Sequence, residues 1–178
     1  MCTLSLSTYQ RGCKTVGGVE KIYIIDKGAR EDSSVTLAVS AGAITIGGSG
    51  GTAYELYPSQ NVSSFTQPRT DDNNAGTTYV TQTLEFTLHG YTAALVSLAE
   101  EIGKGRLEAL VKMKNGVYFY AGYEANGLQS AGGDSGFTGA SVGDQVGFTF
   151  TLTCESERSA PVAVYSEFAT AFTINTPS

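Results

Sequence analysis

The sequence predicts a mainly β protein: an antiparallel β-sandwich or barrel with one flanking α-helix at about residues 92–103. Three observations carry that expectation. Residues 79–88 alternate strictly, with Val80, Gln82, Leu84, Phe86 and Leu88 on one face and Thr81, Thr83, Glu85 and Thr87 on the other. Such alternation, with β-branched Thr outside, is what a half-buried antiparallel strand needs. Residues 92–102 instead repeat at helical spacing, with Leu95, Leu98, Ala99 and Ile102 in one stripe. Finally, 22 glycines and few prolines punctuate many short alternating segments.

In chain order, residues 1–17 read as an extended, Ser/Thr-rich arm ending at Gly17-Gly18. Residues 19–25 (VEKIYII) form a strand, and 29–34 a charged loop. Shorter strands follow at 35–39, 43–46, 52–56 and 62–66, the middle two separated by the Gly47–Gly51 connector. Residues 67–76 (QPRTDDNNAG) are a polar loop longer than a tight hairpin requires, a length that often marks function. The helix has Thr92 as N-cap and Gly103 as its stop, and at three turns it must pack on a sheet to be stable.

Alternation returns at Leu107, Ala109, Val111 and Met113 and runs into Asn115-Gly116, the signal for a type I′ hairpin. A two-residue loop sets Met113 against Tyr118 and Val111 against Tyr120, with Lys112 facing Phe119 and Leu110 facing Ala121. Asn115→Ala should then cost roughly 1 kcal/mol, because both turn residues need positive φ. Apolar side chains on both faces imply a sheet covered on both sides. Residues 127–143 are rich in Gly, Ser and Ala, and 145–154 form a last strong strand with Val146, Phe148, Phe150 and Leu152 on one face. The tail, 155–178, holds apolar runs at 163–168 and 172–174 and reads as a second arm. One domain of 178 residues accommodates all of this.

Composition excludes several function classes. The net charge is -6 and the eleven basic residues are scattered, so no stripe exists to hold nucleic-acid phosphates. Three cysteines (Cys2, Cys13, Cys154) without a pairing pattern fit a reducing compartment. Neither a secretory signal nor an apolar run long enough for a membrane anchor is visible.

No catalytic constellation emerges, and no cofactor or metal site is expected. Gly133-Asp134-Ser135-Gly136 matches the nucleophile segment of chymotrypsin-like proteases, but the only histidine, His89, ends a strand without that family's surrounding residues. Gly47–Gly51 lacks the Lys-Ser/Thr of a phosphate loop. Asp71, Asp72, Asn73 and Asn74 have no dedicated calcium-loop spacing, and Cys13, Cys154 and His89 no zinc-ligand spacing. Asn61-Val62-Ser63 is a glycosylation sequon by rule only.

The run YVTQTLEFTLHG, a short helix, LEALVKMKNGVYFYAGYEANGL and GFTGASVGDQVGFTFTLTC resembles tail tube proteins of tailed bacteriophages, most of all those of Bacteroidetes phages and prophages. Gly122-Tyr123 through Gly127-Leu128, the later Gly139-to-Asp144 segment and the CKTVGGVEKIYIIDK stretch near the start carry the resemblance. It implies a virion structural protein assembled in the bacterial host cytoplasm into the tail. Such subunits form hexameric rings that stack with themselves and with other phage tail proteins around a lumen for DNA. Thr81, Thr83, Glu85 and Thr87 are then candidates to face the lumen. Arg69, Asp71, Asp72, Asn73 and Asn74 are candidates for the inter-ring loop, and both arms for contacts with neighbours. Terminator, head–tail joining or baseplate proteins share the resemblance. A stand-alone β-sandwich adhesin or lectin is the expectation from a different class.

Overall fold

Strand β1 (Val19–Asp26) ends on an aspartate whose carboxylate accepts from the Ala29 N–H (3.1 Å), and this cap starts α1 (Lys27–Glu31). The charged loop expected at 29–34 is therefore corrected: its first residues are helical. The computed structural model describes residues 17–59, 62–72, 76–90, 92–124, 126–132, 135–138 and 146–176. The arm expected at 1–17 lies outside them except for Gly17.

β2 (Thr36–Ser40) and β3 (Ala43–Gly47) form a tight hairpin in which Ser40 pairs with Ala43. Its two loop residues, Ala41 (φ 51°) and Gly42 (φ 81°), both have positive φ, so the geometry demanded of a type I′ turn occurs here. An alanine in that region is strained by roughly 1 kcal/mol. Because Ala41 is exposed, Ala41→Asn is expected to raise the melting temperature by about 2–4 °C in calorimetry.

β4 (Gly51–Leu56) pairs with β1, and β5 (Ser64–Thr66), β6 (Arg69–Asp72) and β7 (Thr77–His89) follow. The expected loop at 67–76 is thus corrected to a hairpin, since four of its residues pair with the start of β7. α2 (Ala93–Lys104) begins as predicted, with the Thr92 hydroxyl accepting from the Leu95 N–H at 3.2 Å. β8 (Leu107–Met113) and β9 (Tyr118–Ala121) follow it.

The turn between β8 and β9 departs from the two-residue expectation. Lys112 pairs with Tyr118, Val111 with Phe119 and Leu110 with Tyr120, one residue off the predicted register. The loop holds three residues, Lys114, Asn115 and Gly116. Met113 and Val117 close it (N···O 2.9 Å), and only Gly116 has positive φ (84°). A three-residue loop ending in a left-handed glycine suits the strand twist as well as a primed turn does. Asn115 instead accepts from the Val117 N–H through Oδ1 at 3.0 Å. Gly116→Ala is therefore expected to cost about 1 kcal/mol and Asn115→Ala about half that, read as chemical-denaturation midpoints.

β10 (Gln129–Ser130) and β11 (Ser135–Phe137) occupy the Gly-rich segment, and β12 (Gly147–Ser156) pairs along β7. Val146 precedes β12 and is exposed, not part of its inner face. The C-terminal residues are not an arm. β13 (Val162–Ala163) pairs with β3 and β9, α3 (Tyr165–Ala171) buries Phe168 and Ala171, and β14 (Phe172–Asn175) runs parallel to β4.

The eight-stranded sheet has the order β14-β4-β1-β8-β9-β13-β3-β2, and the six-stranded sheet β10-β12-β7-β5, with β11 also on β12 and β6 also on β7. Neither closes into a barrel, so the sandwich half of the expectation holds. Between the sheets lies one core built from Ile22, Ile24, Leu84, Phe86, Val111 and Phe150, with Ile102 of α2 joining it. A second core, on the other face of the large sheet, gathers Tyr23, Ile25, Ile44, Leu110, Tyr120 and Phe168. The two-sided apolar pattern is explained by the second sheet on one face and α3 on the other.

Gly122 (φ 77°) and Gly127 (φ 68°) frame the bridge between Leu107 and Leu128, whose backbones exchange hydrogen bonds of 2.7 and 2.9 Å. A Cβ on either glycine would meet the Leu107 carbonyl oxygen at 2.9 Å. The glycine spacing seen in the sequence thus serves a close backbone approach.

One ionic cluster is buried in the large sheet. Glu108, with no exposed side-chain surface, takes a forked pair of bonds from Arg30 (2.8 and 3.0 Å) and a 2.7 Å bond from the Tyr120 hydroxyl. Lys27 stands 3.5 Å from it and donates to the carbonyls of Tyr123 (3.0 Å) and Glu124 (2.8 Å). Burial, then the Glu108 charge and its hydrogen bond, raise the Tyr120 phenol well above its ordinary range, which keeps it a donor. The cluster ties α1 and the segment after β9 to β8.

Candidate functional site

The outward face of the six-stranded sheet is a continuous polar surface made by side chains at alternate positions. Across β7 and β12, Thr81 stands opposite Glu155, Thr83 opposite Thr153, Glu85 opposite Thr151, and Thr87 opposite Thr149. β5 adds Ser64 and Thr66 on one flank. β10 and β11 add Gln129 and Ser135 on the other. Because β7 is 13 residues long and β12 is 10, this face is extended rather than a pit. Thr suits both demands at once, since its branch favours the strand and its hydroxyl favours water.

No Lys or Arg stands at an outward position of these strands among the described residues; the only charged side chains there are carboxylates. Of the four residues singled out from the sequence, Glu85 is exposed and Thr81 and Thr83 are half-buried. Thr87 is buried: its carbonyl accepts from the Ser59 N–H at 2.8 Å, and its hydroxyl lies 3.0 Å from that of Thr149. The chain after β4 covers it, so Thr87 shares the face without reaching solvent. The β12 half of the face is not among the residues expected from the sequence; its signal is Thr149, Thr151 and Thr153 at every second position.

Below this face, β6 and the start of β7 extend as a two-stranded ribbon. Arg69 pairs with Val80, Thr70 with Tyr79, Asp71 with Thr78 and Asp72 with Thr77. All four β6 residues and Thr77, Thr78 and Tyr79 are exposed, so no core lies beneath the ribbon. Asp71 holds it internally, accepting from Thr78 Oγ1 (2.8 Å) and Arg69 Nε (3.1 Å). Those contacts, Thr78 before Arg69, keep the Asp71 carboxyl below its usual range. Asn73 and Asn74 lie outside the described residues.

Other candidate chemistry stays dispersed. Ser135 is an exposed β11 residue and His89 the exposed last residue of β7; Gly133 and Asp134 lie outside the described residues, as do Cys13 and Asn61. Cys154 is half-buried against the inter-sheet core, and burial pushes its thiol up to about 11, so it rests protonated. Among the described residues no group of three His, Cys, Asp or Glu is placed to hold a metal ion. No helix among them is long and apolar enough to cross a membrane. The architecture defines the class, a mainly β two-sheet protein with a flanking helix. No known protein family, curated protein or solved structure matches the chain.

Proposed function

We propose that the protein is a structural subunit of a bacteriophage tail tube, in which copies close into stacked rings around a bore for DNA. The observation that carries this reading is the long outward sheet face, rich in hydroxyls, carrying carboxylates and, among the described residues of its strands, lacking Lys and Arg. DNA is held by cations that neutralise its phosphates. A wall without them, and with Glu85 and Glu155 on it, lets the duplex pass without retaining it. In this reading the partners are further copies of the chain and other tail proteins, and the location is the virion tail after assembly in the host cytoplasm. The exposed ribbon supplies a contact that a solitary subunit has no use for.

Negative-stain electron microscopy of the concentrated protein tests the proposal. Hollow tubes or stacked rings with a central bore are expected. Particles that remain single subunits even when mixed with preformed tail tips would overturn it. A second variant addresses the face itself. Glu85→Lys with Glu155→Lys changes exposed positions only, so folding should move by less than about 0.5 kcal/mol. The assembled variant is expected to retain duplex DNA in gel-shift assays at low salt and release it as salt rises. The unmodified assembly should not bind.

A further inference from the structure

We propose that β2 is a self-pairing edge: two copies of the chain join β2 to β2 about a two-fold axis and so continue one sheet into the other. β2 is the outermost strand of the eight-stranded sheet, with β3 on one side and no strand on the other among the described residues. An open edge of this kind templates further pairing, and proteins blunt such edges with lysine, proline or a bulge. β2 carries none of these. Its sequence is TLAVS, and its register with β3 runs without a shift. The stretch around it is equally bare: residues 33–54 contain no charged side chain, in a chain of net charge -6. Two copies can therefore meet here without setting carboxylate against carboxylate.

The free backbone groups stand where a second β2 needs them. The tight hairpin closes on Ser40 and Ala43, a pair that exchanges both backbone hydrogen bonds. The pairs alternate from there, so Ala38 turns its N–H and C=O toward β3, and Leu37 and Val39 turn theirs outward. Ile46, opposite Leu37, agrees with that phase: its N–H is bonded to the Glu167 carboxylate at 2.9 Å rather than to β2. In an antiparallel pair centred on Ala38, Leu37 meets Val39 of the second copy and Thr36 meets Ser40 of the second copy. The Leu37–Val39 pairs then close with both of their backbone hydrogen bonds. These two side chains, half-buried over the second core, cover each other, while Thr36, Ala38 and Ser40 share the exposed face. Ala38 sits where the strands come closest, at about 4.5 Å between Cα atoms, and its methyl group fits. A shift of one residue would turn the Leu and Val of one copy toward the hydroxyl face of the other. Both strands are already held by their own sheets, so little order is lost on pairing. The contact belongs to the free subunit and stands whether or not rings form.

Sedimentation equilibrium of the full chain tests it, with a shift from monomer to dimer expected between about 1 μM and about 1 mM. Ala38 is exposed, so Ala38→Lys and Ala38→Glu leave the fold intact as the background for the comparison. Each variant alone is expected to dimerise about tenfold more weakly than the parent, because like charges meet across the axis. An equimolar mixture of the two should recover the parent's association. A parent that stays monomeric throughout, or variants that dimerise as the parent does, overturn the proposal. Variants that lose association and do not recover it on mixing also overturn it, by showing that something other than a second β2 occupies the edge. As an independent check, Ala38→Cys in a Cys2→Ser, Cys13→Ser, Cys154→Ser chain should form an interchain disulfide. It should form about tenfold faster than Ser40→Cys in the same background, since position 40 lies opposite position 36 and not opposite itself. Equal rates at the two positions would rule the pairing out.

Discussion

Replacing Glu108 with alanine is expected to destabilise the protein by about 3–5 kcal/mol, which at this chain length lowers the melting temperature by about 10 °C. The reason lies in what the substitution leaves behind. Arg30 keeps its charge with 12% of its side chain exposed and Lys27 with 6%, and both lose the carboxylate that compensates them. Burial opposes the Arg30 charge, and the hydrogen bond and charge of Glu108 outweigh it, so the guanidinium pKa is raised in the native protein. The Tyr120 hydroxyl loses its acceptor as well. Replacing Glu108, Arg30 and Lys27 together with Leu, Met and Met is expected to recover much of the loss, since a well-packed apolar substitute removes the orphaned charges. A triple variant no more stable than Glu108→Ala would show that packing at β8, not charge compensation, sets the cost. The surface pair Lys112–Glu20, at 2.6 Å but with Glu20 40% exposed, makes the contrast: Glu20→Ala should shift the melting temperature hardly at all.

How far the fold could be read in advance follows from which signals are local. The alternation of β7 and the helical stripe of α2 are written in consecutive residues, so both elements stand where periodicity puts them. The β8–β9 turn departs from the two-residue expectation because Asn-Gly fits more than one loop length. The choice of three residues rests on the pairing of Met113 with Val117, which the dipeptide does not encode. The type I′ geometry sits instead at Ala41-Gly42, where alanine gives no hint of positive φ. Residues 163–174 read as a strand-like tail because α3 is short and aromatic. Phe168 and Phe172 become core only once they stack at 4.7 Å on the far face of the large sheet. Helix α1 depends on one aspartate cap and on Arg30 and Lys27 meeting Glu108, some 80 residues away. The candidate face was half legible, because β7 shows its Thr and Glu plainly. Only the pairing of β12 with β7 reveals that Thr149, Thr151 and Thr153 extend the same surface.

Deleting residues 71–74 is expected to abolish assembly while leaving the subunit folded. The β6 half of the ribbon adds no side chain to either core: each of its four residues is exposed. Its loss should therefore leave the far-ultraviolet spectrum intact and move the melting temperature by no more than about 2 °C. A two-stranded ribbon is marginal on its own in water, so one that projects without a core beneath it is best accounted for by a surface that completes it. Tyr79, 37% exposed at the base of the ribbon, is the kind of side chain that anchors such a contact. Tyr79→Ser is accordingly expected to weaken assembly without preventing it, seen as a rise in the concentration at which rings sediment. The two variants separate the possible roles. If both assemble like the parent chain, the ribbon is not the contact between rings. If the deletion fails to assemble while Tyr79→Ser behaves normally, the contact is made by the acidic tip, and its strength should fall as salt rises.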